Sequence, residues 1–436
     1  MKGCPERKKK MDEMIEFLDK LCRFRSVAEE TDNPEAPYGE EVHNALMYVL
    51  ETCEGFGMRV KNCDNQVGWA EIGDGEEMIG ILVHLDVVPE GKGWDTEPFS
   101  ATIVADEKEE RLCGRGVVDD KGPAAACIFA MKDIARLRMR LKRRIRIIFG
   151  QSEETGDWPD MEYYRNNEEL PAFGFTPDGD FPAIYGEKGI LNLKLSMPRE
   201  KSGIVSAKGG NAHNMVPDYA EINLDINGSP VKICENGVSA HGAMPEMGEN
   251  AISKAFLKAS ETGAESPFVK FYCDKIGNGI YGEKIGVNLS DDKSGRLTFN
   301  VGVLQCNEKE CSIIVNMRCP VSFGGDEIQD KIRSECEPYG VEVTRLEWTP
   351  PVYMPKDSGT VARLTEVYRS LTGDMTEPKV IGGGTYARAM DNIVAFGPCF
   401  PDMEMTEHQK NEYIPFDKFL KLREIYREAI LRLADV

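Results

Sequence analysis

Several histidines and carboxylates in this sequence follow short apolar runs, where side chains could gather to bind a cation. One apolar run ends at His84, and Asp86 lies two residues further on. A second run, residues 145–149, leads to the adjacent Glu153 and Glu154. In α/β sheets, functional residues collect outside the carboxyl ends of the strands. These four side chains are therefore candidates for one common site.

Three further segments extend the candidate set. Asp119 and Asp120 precede a predicted helix, Asp178 ends a short apolar segment at 171–178, and His408 lies far downstream. Imidazole nitrogens and carboxylate oxygens are the ligands of Zn²⁺-like cations. A carboxylate shared by two ions holds them about 3.5–4 Å apart, so that they can bind and activate a water molecule. The set indicates a two-metal site.

The two adjacent glutamates could have different roles within such a site. One of Glu153 and Glu154 could bind metal while its neighbour accepts a proton from the water, because a general base must lie beside the metal and not on it. The simpler alternative is that each acid is a solvated surface residue. Asp119 and Asp120 could also cap the following helix. The metal interpretation depends on the whole set occurring together.

Composition limits the classes of partner. The 436 residues carry a formal net charge of −21, which argues against a nucleic-acid or anionic-membrane partner. No apolar run approaches the roughly 18 residues of a membrane helix, and no signal peptide is visible. We expect the thirteen scattered cysteines to be reduced thiols used as small apolar residues, which predicts a cytoplasmic protein. They are Cys4, Cys22, Cys53, Cys63, Cys113, Cys127, Cys234, Cys273, Cys306, Cys311, Cys319, Cys336 and Cys399.

Apolar periodicity predicts an α/β fold with an insertion. Helical spacing over 11–56 and 122–139 alternates with strand-like runs at 78–85 and 145–149, which is typical of a mostly parallel sheet. From residue 186 the pattern changes to alternating strand-like runs with a few helices. We predict a metal-binding domain from residues 1–185 and 380–436, with an α+β lid domain from residues 186–379 inserted into it.

Other motifs do not lead to a function. The string Gly382–Ala387 matches G-x-G-x-x-A, but too few residues follow it for a dinucleotide-binding domain. The basic run 136–146 straddles a predicted helix C-terminus and is interpreted as a solvated face. The sequence has no G-x-S-x-G, P-loop or H-E-x-x-H motif, which removes the common serine hydrolase, nucleotidase and single-zinc peptidase classes.

Taken together, the motifs resemble the co-catalytic zinc metallopeptidase family that includes aminoacylases, glutamate carboxypeptidases and cytosolic dipeptidases. Within that family the resemblance is to the bacterial dipeptidase V type, and it spans almost the entire chain. The strings that carry it are His84–Pro89, Gly93-Trp94 with Pro98-Phe99, Gly114–Pro123, Glu153–Gly156, Thr176–Asp178 with Phe181-Pro182, and His408–Glu412.

This resemblance implies a role for each candidate ligand. His84 and Asp178 would bind one metal ion, Glu154 and His408 would bind the other, and Asp119 would bridge them. By the same matching Asp120 would not be a ligand. An aspartate at position 178 is what the dipeptidases of the family carry, which favours a substrate with a free amino group.

The resemblance also implies residues that act on substrate. Glu153 would be the general base, and Asp86 would orient His84. His241 would donate a hydrogen bond to the oxyanion, and Arg318 would bind the substrate carboxylate as a bidentate fork. Weaker matches, for which an ordinary turn is an equal alternative, are Asn214, Gly383, Gly384 and Thr385.

The expected activity is hydrolysis of dipeptide amide bonds by a metal-activated water. The expected cofactors are two divalent ions, Zn²⁺ first, with Mn²⁺ or Co²⁺ as alternatives. A monomer is expected because the dipeptidase V type supplies its lid histidine from the same chain, with a dimer as the alternative. Two other functions stay open, an N-acyl amino acid deacylase or desuccinylase of the same family and an inactive metal- or peptide-binding protein.

Overall fold

The computed structural model describes residues 5–105 and 109–435 of the chain. Its helices are α1 Pro5–Cys22, α2 Glu40–Gly55, α3 Lys121–Arg136, α4 Pro159–Asn167, α5 Arg199–Ser202, α6 Ala251–Glu261, α7 Pro267–Lys275, α8 Gly325–Cys336, α9 Gly359–Thr372 and α10 Phe416–Ala434.

The strands are β1 Arg59–Cys63, β2 Val67–Ile72, β3 Met78–His84, β4 Thr102–Ala105, β5 Glu110–Cys113, β6 Arg144–Gly150, β7 Phe173–Thr176, β8 Ile184–Glu187, β9 Gly189–Pro198, β10 Ser206–Gly209, β11 Met215–Val216, β12 Tyr219–Ile226, β13 Ser229–Asn236, β14 Ala240–His241, β15 Ser290–Asp291, β16 Gly295–Arg296, β17 Thr298–Cys306, β18 Glu310–Cys319, β19 Glu342–Thr349, β20 Val352–Tyr353, β21 Lys379–Ile381, β22 Ile393–Ala395 and β23 Tyr413–Pro415.

The chain forms two compact units. The first contains residues 1–185, 354–379 and 384–436, and the second contains residues 186–353 and 380–383. The chain leaves the first unit after residue 185 and returns to it at Met354, whereas the predicted metal-binding domain resumes at residue 380. The reason is helix α9, which packs on α10 and adds Val361 and Leu364 to the core of the first unit.

A mixed sheet organises the first unit. Its strands follow the order β1-β2-β6-β3-β7-β22, and the neighbours β6, β3, β7 and β22 are parallel. All seven residues of β3 are buried, as expected for a parallel strand covered on both faces. The predicted α/β class with a mostly parallel sheet is confirmed. The helical region predicted at 11–56 is interrupted, because residues 23–39, with Pro34 and Pro37, lie outside α1 and α2.

The second unit is built on an antiparallel sheet. Its seven strands follow the order β13-β12-β10-β17-β18-β9-β19, and its core includes Leu193, Phe256, Ile313 and Ile332 from the sheet and from helices α6 and α8. This is the α+β insertion that the sequence predicts. Among the described residues, none of the helices is both long enough and apolar enough to cross a membrane.

The cysteines correct one expectation. Cys306 and Cys311 face each other across the β17–β18 hairpin and form a disulfide, so the prediction of reduced thiols throughout is wrong for this pair. The hairpin register that brings them together is not visible in their sequence spacing. The other described cysteines are free and mostly buried, and Cys4 lies outside the described residues.

Candidate metal centre

Three parallel strands of the first unit end side by side. Strand β3 lies between β6 and β7, so the segments that follow these strands meet at one edge of the sheet. His84 is the last residue of β3, Glu153 and Glu154 follow β6, and Asp178 follows β7. The topology thus brings together four of the side chains singled out in the sequence.

His84 is completely buried, and both of its ring nitrogens and its backbone N–H have partners. Its Nε2 lies 2.8 Å from Oδ1 of Asp119, and its Nδ1 lies 2.9 Å from the main-chain oxygen of Asp86. Its backbone N–H donates to Oδ2 of Asp120 at 3.2 Å. The side chain of Asp120 does not cap helix α3, so the capping alternative does not describe this residue.

His408 approaches the same aspartate from the other side. Its Nε2 lies 2.9 Å from Oδ2 of Asp119 and 3.1 Å from Oε2 of Glu154. The two carboxylate oxygens of Asp119 therefore face two different imidazoles. This is the arrangement that a carboxylate bridging two cations would have.

Potential ligand atoms cluster tightly within this part of the first unit. Two overlapping groups have ligand atoms within 4.8 Å of one another, His84 with Asp119 and Glu154, and His84 with Glu153 and Asp178. The structure therefore brings together all five predicted ligands, and it adds Glu153 to the cluster.

The electrostatics of the cluster suit bound cations. Burial, and then the nearby Asp178, raise the pKa of Glu153, and burial followed by Asp119 raises the pKa of Glu154. Hydrogen bonds from His408 and His84 outweigh burial and lower the pKa of Asp119. Hydrogen bonds to Asp119 and Glu154 raise the pKa of His408 to about 11. Carboxylates this close repel one another unless one is protonated or a cation lies among them, and two imidazoles with several carboxylates form a donor set that fits divalent ions.

The side chain of Asp86 binds mainly the backbone of the two glutamates. Its Oδ1 accepts the backbone N–H of Glu153 at 3.2 Å, and its Oδ2 accepts that of Glu154 at 3.0 Å. The same carboxylate is 3.4 Å from Nδ1 of His84, farther than the main-chain oxygen of Asp86. The expected contact with His84 is therefore made chiefly through the backbone, and the side chain fixes the turn that carries both glutamates.

Sequence reasoning missed two buried groups behind this turn. Oδ2 of Asp160 accepts the backbone N–H of Gln151 and the hydroxyl of Tyr386, both at 2.6 Å. The ring of Tyr386 also packs edge-on against His84. Asp160 is in the first turn of α4, where an acid is ordinary, so no local signal marks it. Arg115 and Glu412 stand in the motif strings but have no role assigned from sequence.

The other predicted residues divide between the units. His241, Arg318, Asn214 and Gly383 belong to the second unit, whereas Gly384 and Thr385 belong to the first. Their predicted roles stay predictions.

Within the second unit, the backbone N–H of Gly242 donates to the main-chain oxygen of Asn214 at 2.6 Å, which ties the two segments that carry Asn214 and His241. Arg318 donates from Nη1 to the main-chain oxygen of Gly382 at 2.7 Å. Partial desolvation, and then the positive charge of Arg318, lower the pKa of His241.

The glycine-rich string does not form a nucleotide-binding turn. Residues 386–389 form a short 3-10 turn, and the hydroxyl of Thr385 accepts the backbone N–H of Ala387 at 3.1 Å. A dinucleotide site requires a strand, a glycine turn and a full helix, whereas this string leads into a 3-10 turn of four residues.

Known proteins resemble this chain along most of its length. The model of "Peptidase family M20/M25/M40" matches residues 80–432. "Putative dipeptidase YtjP" of Bacillus subtilis is 35% identical over 462 residues, with 98% of each chain covered.

Solved structures share the fold. Human carnosine dipeptidase 1 aligns over 99% of this chain and 98% of its own, with a TM-score of 0.62 and 15% identity. A Bacillus subtilis protein described as a dinuclear metal binding peptidase from the M20 family aligns over 98% of both chains, with a TM-score of 0.55 and 11% identity. From the family match along most of its length and a full-length relative above one-third identity, the chain belongs to peptidase family M20/M25/M40.

Proposed function

We propose that this protein is a two-metal dipeptidase. The observation that carries the proposal is the placement of Asp119 between His84 and His408, with the turn of Glu153 and Glu154 beside it. The peptidase family and the name of the Bacillus subtilis relative support hydrolysis of a peptide bond.

The ligands are proposed as the resemblance implies. His84 and Asp178 would hold one ion, Glu154 and His408 would hold the other, and Asp119 would be a ligand of both. Bound divalent ions supply Lewis acidity to a water molecule and to the amide carbonyl. We propose Zn²⁺, with Mn²⁺ and Co²⁺ as alternatives, because the ligand set accepts all three.

Glu153 is proposed as the general base. Its carboxylate accepts a proton from the attacking water and returns that proton to the leaving amine. Burial raises the pKa of its carboxyl above the ordinary value of a glutamate, which favours uptake of a proton. The hydrogen bond from its backbone to Asp86 fixes the start of its side chain.

The second unit is proposed to bind the substrate. His241, kept neutral by its lowered pKa, donates a hydrogen bond to the oxyanion, and Arg318 pairs with the substrate carboxylate. Asn214, Gly383, Gly384 and Thr385 are proposed to line the substrate. We further propose a cytoplasmic protein, because most of its described cysteines are free, and a monomer, because the dipeptidase V type that it resembles supplies its lid histidine from the same chain.

A substrate panel tests the proposal. Purified protein, stripped with chelator and then loaded with Zn²⁺, Mn²⁺ or Co²⁺, is assayed on Ala-Ala-type dipeptides and on N-acetyl and N-succinyl amino acids. The proposal predicts metal-dependent turnover of the dipeptides. Preference for the acylated amino acids would show a deacylase instead, and metal and peptide binding without turnover would show an inactive homologue.

A further inference from the structure

Glu412 is a buried carboxylate for which the proposed chemistry has no direct use. Its side chain is 1% exposed, and it lies four residues after His408. Its Oε1 accepts three backbone N–H groups of one loop, from Gly116 at 3.1 Å, Val118 at 2.9 Å and Asp119 at 3.3 Å. This one oxygen therefore fixes the main chain of the loop that delivers Asp119.

The other oxygen of Glu412 also has a buried partner. Oε2 accepts from Nη1 of Arg115 at 2.6 Å, and the Arg115 side chain is 2% exposed. The same guanidinium donates to the main-chain oxygen of Pro89 at 3.3 Å and lies over the ring of Trp94. A buried pair of this kind loses much hydration free energy, and the hydrogen bonds that both oxygens of Glu412 accept offset part of that loss.

The backbone around Glu412 adds to the restraint. Its main-chain oxygen accepts the N–H of Gly114 at 3.0 Å, and the next residue, Tyr413, pairs with Cys113 in the β23–β5 ladder. Gly116 has φ +87°, a left-handed conformation that glycine adopts easily, and it lets the loop turn its N–H groups toward one oxygen. A single segment, residues 408–413, thus carries His408 and also holds the loop of Asp119.

We propose that Glu412, paired with Arg115, is a positioning residue that sets Asp119 so that its two oxygens face His84 and His408. The inference rests on the proposed two-metal function and deepens it, because it names what fixes the spacing between the bridging carboxylate and the second histidine. Without this carboxylate the loop loses the acceptor that aligns the N–H groups of Val118 and Asp119.

Two variants at position 412 test the proposal, with one matched control. Glu412→Gln keeps the side-chain size but presents an NH₂ group either to Arg115 or to the loop N–H groups, all of which are donors. Glu412→Asp keeps the charge on a side chain one methylene shorter. The control is Glu71→Gln, which removes an equally buried carboxylate paired with Arg146 at 2.7 Å and lies outside the candidate metal centre.

Three readouts separate positioning from simple stabilisation. Thermal unfolding of the metal-free proteins measures the structural cost. Equilibrium dialysis with Co²⁺, together with the visible absorption of the bound ion, measures affinity and coordination. Dipeptide assays measure kcat and KM separately.

The proposal predicts that Glu412→Gln binds Co²⁺ about 10–100-fold more weakly, with an altered spectrum, a reduced kcat and a KM within about twofold. Glu412→Asp should fold, and its Co²⁺ affinity and kcat should lie between those of Glu412→Gln and those of the wild type. Glu71→Gln should unfold at a lower temperature than the wild type but should bind Co²⁺ with the same affinity.

The contrary outcomes are distinct. A folded Glu412→Gln or Glu412→Asp protein with wild-type Co²⁺ affinity, spectrum and kcat overturns the inference alone. An equal loss of Co²⁺ affinity in Glu71→Gln also overturns it, because the effect would then be general destabilisation. Wild-type protein that binds no Co²⁺ and cleaves no dipeptide overturns the proposed function together with the inference.

Discussion

His408 places its Nε2 2.9 Å from Oδ2 of Asp119, although the two residues are far apart in the sequence. The other oxygen of Asp119 faces His84. One aspartate therefore joins the strand-end part of the cluster to a segment near the C-terminus. The predictions below depend on this junction.

Replacing Glu153 with glutamine should abolish most turnover while leaving the metal content unchanged. The amide cannot accept a proton from water, and general-base catalysis is worth about 10²–10⁴-fold in rate. The measurements are kcat on a dipeptide and metal analysis of the same sample. Glu162→Gln, an exposed glutamate of α4, is the control. Full activity of Glu153→Gln would remove Glu153 as the base.

Removing the imidazole of His408 should reduce the bound metal from two ions per chain to one. The side chain is 55% exposed, so its loss should cost little folding stability. Metal analysis after dialysis measures the ratio, and His43→Gln in helix α2 is the histidine control. Two ions retained by His408→Ala would contradict the ligand assignment.

Asp86→Asn should lower both metal affinity and kcat by about 10–100-fold. The carboxylate accepts N–H groups with both oxygens, whereas an amide must turn its NH₂ toward one of them. Co²⁺ titration and steady-state assays of the variant measure the two effects. Asp157→Asn, an exposed aspartate of the same segment, should match the wild type. An Asp86→Asn protein with the metal affinity and kcat of the wild type would show that metal binding and turnover do not need the contacts of this carboxylate.

His241 should titrate below the ordinary histidine pKa of 6.5, because partial desolvation and then Arg318 disfavour its protonated form. The contribution of neutral His241 to the free energy of unfolding is therefore fully present above pH 6.5. It is lost as the pH falls from 6.5 toward the lower pKa of His241 in the folded state, because the unfolded chain binds the proton first.

NMR titration of histidine-labelled protein, with His241→Gln for assignment, measures this pKa. Arg318→Gln should move it upward, and Arg345→Gln should not. A pKa at or above 6.5 in the wild type would contradict the prediction.

Strand ends were the most predictable part of the site. His84, Glu154 and Asp178 follow apolar runs, and parallel strands bring such positions to one edge, so their proximity follows from pattern and topology. His408 does not directly follow a parallel strand. Its residue type made it a candidate, but only the resemblance to a known family assigned it to a metal ion. Sequence patterns identify strand ends but not loops that return from elsewhere.

Tertiary packing decided what the sequence left undetermined. The aspartates at 86 and 160 are both strand- or helix-terminal acids, and nothing local shows that each binds the backbone of the turn at 151–154. The return of the chain to the first unit at Met354 depends on the packing of α9 against α10, which the sequence of α9 alone does not show. The Cys306–Cys311 pair likewise depends on a hairpin register.

Anomalous diffraction from crystals of the metal-loaded protein tests the central claim most directly. Data collected on both sides of the absorption edge of the loaded metal locate each ion independently of the chain. The account predicts two ions about 3.5–4 Å apart, with Asp119 between them and His84, Asp178, Glu154 and His408 as the remaining protein ligands. A single ion, or ions bound away from Asp119, would contradict it.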